Sequence, residues 1–335
     1  MSVRVGFLGT PEVAVPALEA VLGDPAIDLE VVITNPDRPK GRSRTPVPPP
    51  VKVAAEAAGL PVWQPQRPVE VIDELRALEL DVCAVVAYGA LLPASVLEVP
   101  AHGFVNLHFS LLPRWRGAAP VQHAIRAGDT VTGVTTFVLD AGLDTGPVLE
   151  RVEVPIDPEE SAGELLERLA ELGGPVLARS ITALVGGRTP EPQPAEGATL
   201  APKITPDDVA IDLDVPAREL VDLVRSADPA PGAHTTFRGD RLKVYRATPV
   251  TDPEVPGRGA VEADADAEAE AGGAGVSDPA PGTIVRVDKR GVVVACADGA
   301  VRLDQVQPTG KARMDGAAFV NGYRPEVGER LGDRP

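Results

Sequence analysis

The chain has 335 residues, 44% of them apolar, with 36 Pro and 33 Gly along its length and a formal charge of −17. That is enough chain for one large domain and a smaller one. No run of about 18 apolar residues occurs, which leaves no sequence signature of a membrane-spanning helix, and the N-terminal stretch is broken by Gly9, Pro11, Glu12 and Pro16 before a signal-length apolar segment accumulates. The two cysteines, Cys83 and Cys296, sit in separate apolar runs and form no metal-binding spacing. These features predict a reduced, cytoplasmic protein that is neither exported nor membrane-bound, with no metal centre.

Short apolar runs alternate with helix-like stretches through the first half. "VRVGFL" is followed by a helix over 11–22, "LEVVIT" by one over 51–58, "DVCAVVA" by a turn, and "FVNLH" by a helix over 121–127. This βα alternation predicts a mostly parallel, Rossmann-like sheet with helices on both faces. "TGVTTFVLD" and "GPVLERVEV" follow as strands of more alternating character. Ser161 and Glu164 stand in capping-box spacing ahead of Leu165, Leu166, Leu169 and Leu172, which predicts a helix there. A second helix over 175–184 stops at Gly186 and Gly187. The first domain is therefore set at 1–187, and the Pro-rich stretch 188–206 is expected to be a semi-extended linker. Residues 207–335 are expected to form a second domain: one helix and several short strands in a small antiparallel β-barrel of OB-like type.

The acidity is uneven. Residues 252–280 hold eight acids against Arg258 alone, amid Ala and Gly, and are read as a solvated low-complexity insertion. From 281 onward nine Lys and Arg face seven Asp and Glu. The net charge argues against a nucleic-acid partner, because phosphate contacts need cations, but this distribution leaves room for one.

"FLGTPE" near the N-terminus lacks the G-x-G-x-x-G spacing of a dinucleotide site, which counts against a dehydrogenase. Of four histidines, His102, His123 and His234 lie in a turn, a helix and a Pro/Gly-rich stretch. His108 instead ends an apolar strand, where parallel sheets bind ligands. Asn106 lies two residues before it, so both side chains share one strand face and can converge on one small group. Asp140 and Asp144, in "LDAGLDTGPVL", can each supply a carboxylate from a Gly-rich loop. Asn, His and Asp without a Ser or Cys nucleophile suggest direct attack of one substrate on another, with the protein stabilising a tetrahedral oxyanion.

Taken together, "FLGTPE", "NPDRPKGR", "PPPVKVAAEAAGLPV", "NLHFSLLPRWRGAAP", "GLDTGPVL" and "LDQVQPTGKARM" resemble the bacterial methionyl-tRNA formyltransferases, within the wider family of 10-formyltetrahydrofolate-dependent enzymes. The resemblance covers nearly the whole chain. It implies Asn106, His108 and Asp144 as the catalytic trio and 10-formyltetrahydrofolate as formyl donor. Ser110, Leu111, Leu112 and Pro113, with Tyr88 and Gly89, are implied at the folate, and Phe109 stands where relatives often carry a smaller residue. The acceptor implied is the α-amine of initiator methionyl-tRNA.

Arg38, Lys40, Arg42 and Arg44 alternate along a Pro/Gly-rich loop that the resemblance assigns to the tRNA. Lys289, Arg290 and Lys311 of the second domain are assigned to it likewise, with Arg302 and Arg313. Arg114, Trp115 and Arg116 fit either an active-site wall or base stacking. A monomer is expected. The alternative is a folate-dependent formyltransferase acting on a nucleotide or nucleotide-sugar amine, which would keep the trio but not need the basic loop.

Overall fold

The computed structural model describes residues 2–39, 45–250 and 279–332. Lys40, Arg42, Arg44 and nearly all of the acidic insertion at 252–280 lie outside them. The chain forms two compact units: Met1–Ala124, Thr130–Asp157 and Glu164–Lys203 in the first, Ile125–Asp129, Pro158–Gly163 and Ile204–Pro335 in the second.

In chain order the first part comprises β1 (Val3–Gly9), α1 (Val15–Gly23), β2 (Ile27–Ile33), β3 (Arg38–Pro39), β4 (Pro46–Val47), α2 (Pro50–Ala57), β5 (Val62–Trp63) and α3 (Ile72–Ala77). It continues with β6 (Val82–Val86), α4 (Ala94–Leu97), β7 (Phe104–His108), α5 (Pro120–Arg126), β8 (Val131–Val138), β9 (Val148–Pro155) and α6 (Ala162–Val185). Seven strands make one sheet in the order β5-β2-β1-β6-β7-β8-β9. Pairing is parallel as far as β7 and antiparallel for β8 and β9. Near-continuous apolar runs explain the parallel part: all five residues of β6 are buried, as are the last five of β1. Phe7, Phe104 and Phe137 are fully buried. Strand order reverses between β1 and β6, which opens a crevice at their carboxyl ends. There Thr10 Oγ1 and Asn35 Nδ2 both donate to the Tyr88 carbonyl, at 2.9 and 2.7 Å.

The two helices expected around Pro175 are one helix of 24 residues with that proline inside it. The missing N–H removes a single backbone bond. Val176, Leu177 and Ile181 meanwhile extend the buried stripe begun by Leu165 and Leu169, so packing outweighs the break. Gly173 and Gly174 let this helix press on its neighbours: a Cβ would lie 2.7 Å from the Leu107 side chain at the first and 2.8 Å from the Pro16 carbonyl oxygen at the second. Leu107 stands between Asn106 and His108, so the helix backs the strand that carries both.

Most of the Pro-rich stretch is packed on the first unit rather than spanning between units. Glu191 N–H donates to the Val148 carbonyl at 2.7 Å, and Ala201 N–H to the Arg116 carbonyl at 2.7 Å.

The second unit adds α7 (Ala217–Ser226), β10 (Ala233–Phe237), β11 (Asp240–Val250), β12 (Ile284–Asp288), β13 (Gly291–Ala295), β14 (Ala300–Pro308), β15 (Met314–Asp315) and α8 (Gly316–Tyr323). Its antiparallel sheet runs β10-β11-β14-β13-β12, with β15 on β14. Leu331 bridges Phe237 of β10 and Arg330 bridges Thr283 beside β12, so one short segment joins the two open edges of this small β domain. Leu220, Val221 and Val224 of α7 and Phe319 of α8 fill the core with Val292, Val294, Leu303 and Val306.

Pro175 is solvent-exposed and costs α6 a backbone bond. Pro175→Ala is therefore expected to stabilise the fold, by up to the roughly 3 kcal/mol that separates Pro from Ala in a helix interior, and so to raise the melting temperature. A lower melting temperature would show that the path of α6 over the sheet requires the proline.

Candidate active site

Asn106 and His108 project from one face of β7 at its carboxyl end, flanked by β6 and β8: Asn106 pairs with Val85 and Phe137, His108 with Thr135. Asn106 is half-buried, and its carboxamide makes no hydrogen bond among the described residues. His108 is 6% exposed. Its ring lies edge-on to Phe137, and its Nε2 is 2.8 Å from the Trp115 carbonyl oxygen. A carbonyl only accepts, so Nε2 carries the hydrogen, and a neutral ring presents a bare Nδ1 to Asp144. Asp144 Oδ2 stands 3.7 Å from Nδ1, beyond direct hydrogen bonding. Burial pulls the His108 pKa below its ordinary value, against the opposing pull of the Asp144 charge and the Trp115 hydrogen bond. The imidazole therefore rests neutral at neutral pH.

Asp144 has φ of 51°, in the left-handed region that Asp tolerates better than most side chains. Its Oδ2 accepts the Gly117 N–H at 2.8 Å. Gly117 has φ of 124°, and a Cβ there would lie 2.7 Å from the Ala201 carbonyl oxygen, so only glycine fits. The other carboxylate of the loop has a different task. Asp140 Oδ1 accepts from Gly142 N–H at 2.9 Å and Thr145 Oγ1 at 2.7 Å, folding the loop and leaving Asp144 to face the imidazole.

The segment after β7 is held through Thr135. Its Oγ1 donates to the Ser110 carbonyl at 2.6 Å and accepts from Leu112 N–H at 3.1 Å. Ser110 Oγ donates to the Arg114 carbonyl at 2.7 Å, and Arg151 Nε to the Leu112 carbonyl at 2.7 Å. Phe109 and Leu112 point into the core, whereas Leu111 and Pro113 are partly open to solvent. Tyr88 and Gly89 follow the neighbouring strand β6; Tyr88 is buried, and burial pushes its phenol pKa up.

Trp115 stacks on His123 with ring centroids 5.6 Å apart and carries the Arg114 guanidinium 4.4 Å from its own centroid. Sequence reasoning missed the apolar residues beside these segments. Leu91, Leu143 and Leu200 are 89%, 59% and 65% exposed, and they lie close to Gly89, Asp144 and Ala201 along the chain. It also missed Gln193, Thr199 and Ala201, which contact the loops from a stretch whose composition suggests only a spacer.

Arg38 lies exposed on β3, at the foot of the basic loop. That foot is fixed by Lys52, whose Nζ lies 3.0 Å from Asp37 Oδ1 and 2.8 Å from Gln64 Oε1. Gln64 and Lys52 together hold the Asp37 carboxyl below its usual range. In the second unit, Lys289, Arg290 and Lys311 are exposed in turns without an ion pair among the described residues. Arg302 and Arg313 are engaged instead, with Asp304 at 2.6 Å and Asp228 at 2.9 Å. Cys83 and Cys296 are buried thiols with pKa values pushed up to about 12, which removes them as nucleophiles. Among the described residues no group of three or more His, Cys, Asp or Glu is placed to hold a metal.

Comparison with known proteins agrees with this layout. Residues 4–181 match the formyl transferase family model, and residues 203–324 match the formyl transferase C-terminal domain. Methionyl-tRNA formyltransferase of Streptomyces coelicolor is 45% identical over 98% of this chain and 100% of its own length. That of Thermobifida fusca is 45% identical over 98% and 99%. Two solved structures share the fold at low identity. HypX from Aquifex aeolicus in complex with tetrahydrofolic acid has a TM-score of 0.64 at 16% identity, over 98% of this chain and 49% of its own. The N-formyltransferase from Helicobacter canadensis also has a TM-score of 0.64, at 15% identity over 91% and 99%. The chain belongs to the formyl transferase family, and within it groups with the methionyl-tRNA formyltransferases.

Proposed function

We propose that the protein transfers the formyl group of 10-formyltetrahydrofolate to the α-amine of initiator methionyl-tRNA, giving N-formylmethionyl-tRNA. The observation that carries this reading is the strand end itself: a carboxamide without a hydrogen bond among the described residues, beside a buried, neutral imidazole that faces a carboxylate. The names of relatives 45% identical over essentially full length supply the acceptor.

The α-amine attacks the formyl carbon, so a C–N bond forms and the carbonyl oxygen becomes an oxyanion. The Asn106 amide N–H groups donate to that oxyanion. The attacking nitrogen loses a proton to Nδ1 of His108, the one ring nitrogen not held by Trp115. Asp144 stabilises the imidazolium so formed across the 3.7 Å gap. The imidazolium returns its proton to N10 as the N10–C bond breaks, and the tetrahydrofolate leaves. The donor rests against Ser110–Pro113 and the Tyr88–Gly89 turn, two segments that follow adjacent strands of one sheet. Arg38 with Lys40, Arg42 and Arg44 on one unit, and Lys289, Arg290 and Lys311 on the other, neutralise tRNA phosphates. The excess acid discourages contact elsewhere.

Labelled-formyl transfer tests the chemistry. Asn106→Ala is expected to lower turnover by about 10² to 10³, the usual cost of one oxyanion donor, at an unchanged melting temperature. Transfer to a nucleotide-sugar amine but not to Met-tRNA would sink the acceptor assignment. The cations are tested by replacing Lys289, Arg290 and Lys311 together with Ala. KM for Met-tRNA should rise, and its log–log dependence on salt should flatten by a little under one for each phosphate no longer neutralised. An unchanged slope would remove these residues from the RNA surface.

The pH dependence of stability has a defined sign. The folded pKa of His108 lies below 6.5, so between that value and 6.5 the unfolded chain binds more protons, and stability is lost as pH falls through this window. His234 acts in the same direction, lowered by burial and then by Arg241 and Lys243. His108→Asn should accordingly flatten the fall in melting temperature below pH 6.5. A slope equal to that of wild type would mean that folding leaves the His108 pKa unchanged.

A further inference from the structure

Gln193 lies in the Pro-rich stretch, far from the catalytic motifs in sequence, yet every polar atom of its side chain is committed within the site. Its Nε2 donates to two carbonyls of the Asp144 loop, that of Asp144 at 2.9 Å and that of Gly146 at 2.8 Å. Its Oε1 accepts from Arg116 Nε at 3.1 Å and Nη2 at 2.7 Å. The orientation of the amide follows from this chemistry: carbonyls accept only and a guanidinium donates only, so the nitrogen must face the loop and the oxygen the arginine. Arg116 adjoins Trp115, whose carbonyl holds His108, and Gly117, whose N–H holds Asp144 Oδ2.

The backbone around Gln193 reinforces the same junction. Trp115 N–H donates to Thr199 Oγ1 at 2.8 Å, Arg116 N–H to the Thr199 carbonyl at 2.9 Å, and Ala201 N–H to the Arg116 carbonyl at 2.7 Å. Upstream, Glu191 exchanges backbone bonds with Val148, just past the Asp144 loop. Residues 191–201 therefore touch the Asp144 loop at one end and the 115–117 segment at the other. Gln193 is the side chain that binds both.

We propose that Gln193 is a positioning residue for the transfer reaction: it clasps the loop bearing Asp144 to the segment that holds His108, and so sets where the carboxylate stands relative to the imidazole. Asp144 occupies a left-handed backbone conformation, which a loop free to relax would not favour, and the clasp bonds that very residue's carbonyl. The proposal rests on the formyl-transfer reading for its activity measurement, though not for its structural one.

The test follows the His108 ring by nitrogen NMR through a pH titration of the full chain, beside formyl transfer to Met-tRNA, in wild type, Gln193→Met, Gln193→Glu and Asp144→Asn. Asp144 supplies the carboxylate facing the ring; the other contacts are the Trp115 carbonyl and the Phe137 ring. Gln193→Met is similar in size and loses the whole clasp. Gln193→Glu keeps the acceptor for Arg116 and loses both donors to the Asp144 loop. Gln193→Met is expected to move the His108 titration downward toward that of Asp144→Asn, whereas the charge that Gln193→Glu adds opposes that shift and leaves kcat as its readout. Both variants should lower kcat by about tenfold to a hundredfold with KM for either substrate unchanged, as displacement of a reacting group by about an ångström does.

A lower melting temperature with the His108 titration unchanged in Gln193→Met and kcat unchanged in both variants would overturn the proposal, leaving Gln193 a purely structural tie. A downward titration shift in a protein whose wild type fails to formylate Met-tRNA would uphold the clasp and reject the acceptor.

Discussion

The hydrogen bond from His108 Nε2 to the Trp115 carbonyl decides which nitrogen of the imidazole is available, and much of the first unit serves to keep that carbonyl in place. Trp115 has φ of 65°, a left-handed conformation that a bulky side chain rarely adopts, so the carbonyl's direction has to be enforced from outside. Three sources enforce it: Thr199 from the Pro-rich stretch, the Ser110–Arg114 contact within the loop, and the stacking of Trp115 on His123. The ring is located in turn by a strand backed by α6, whose Gly173 lets the helix settle onto Leu107. A change anywhere along this chain of contacts reaches His108 as a rotation of its ring.

The same site shows how burial and charge are balanced. Deep burial favours a neutral His108, and in the transfer proposed above Asp144, held off at 3.7 Å, eases the arrival of a proton without forming the bond that would fix it there beforehand. A carboxylate at hydrogen-bonding distance would favour a charged resting state. The separation is thus a compromise between a ring too dry to protonate and one already protonated, and the contacts that hold the carboxylate are the Gly117 N–H on its Oδ2 and the Gln193 amide on the Asp144 carbonyl, not a bond between the two side chains themselves.

Much of this was legible in the sequence. The alternation of apolar runs with helical stretches gave the parallel sheet, and two-residue spacing at a strand end marked Asn106 and His108. Asp140 and Asp144 looked equivalent, because a carboxylate in a Gly-rich turn carries the same signal whether it folds the loop or faces a substrate. Residue type and spacing do not separate them; the resemblance singles out Asp144, and in the structure the bonds from Gly142 and Thr145 engage Asp140. Pro175 misled for a physical reason: a proline reports the loss of one local hydrogen bond, while the continuity of α6 is decided by side chains buried on both sides of it. Arg313 could not be told from the cations that lack an ion pair among the described residues, since Asp228 becomes its neighbour only through the fold, whereas Arg302 and Asp304 stand two apart on one strand and share a face. Gln193 gave no signal at all. A lone glutamine among prolines and glutamates carries no spacing, and its partners lie on loops about fifty or more residues upstream.

The packing of residues 188–203 changes where the first unit ends. Composition places a seam at Gly187, and a chimera joined there would exchange the Pro-rich stretch along with whatever domain follows it. The hydrogen bonds of Glu191, Gln193, Thr199 and Ala201 assign that stretch to the first unit, which extends to Lys203. A recombination point that respects these bonds falls after Lys203, so in this fold a segment that reads as connective tissue is inherited with the first unit.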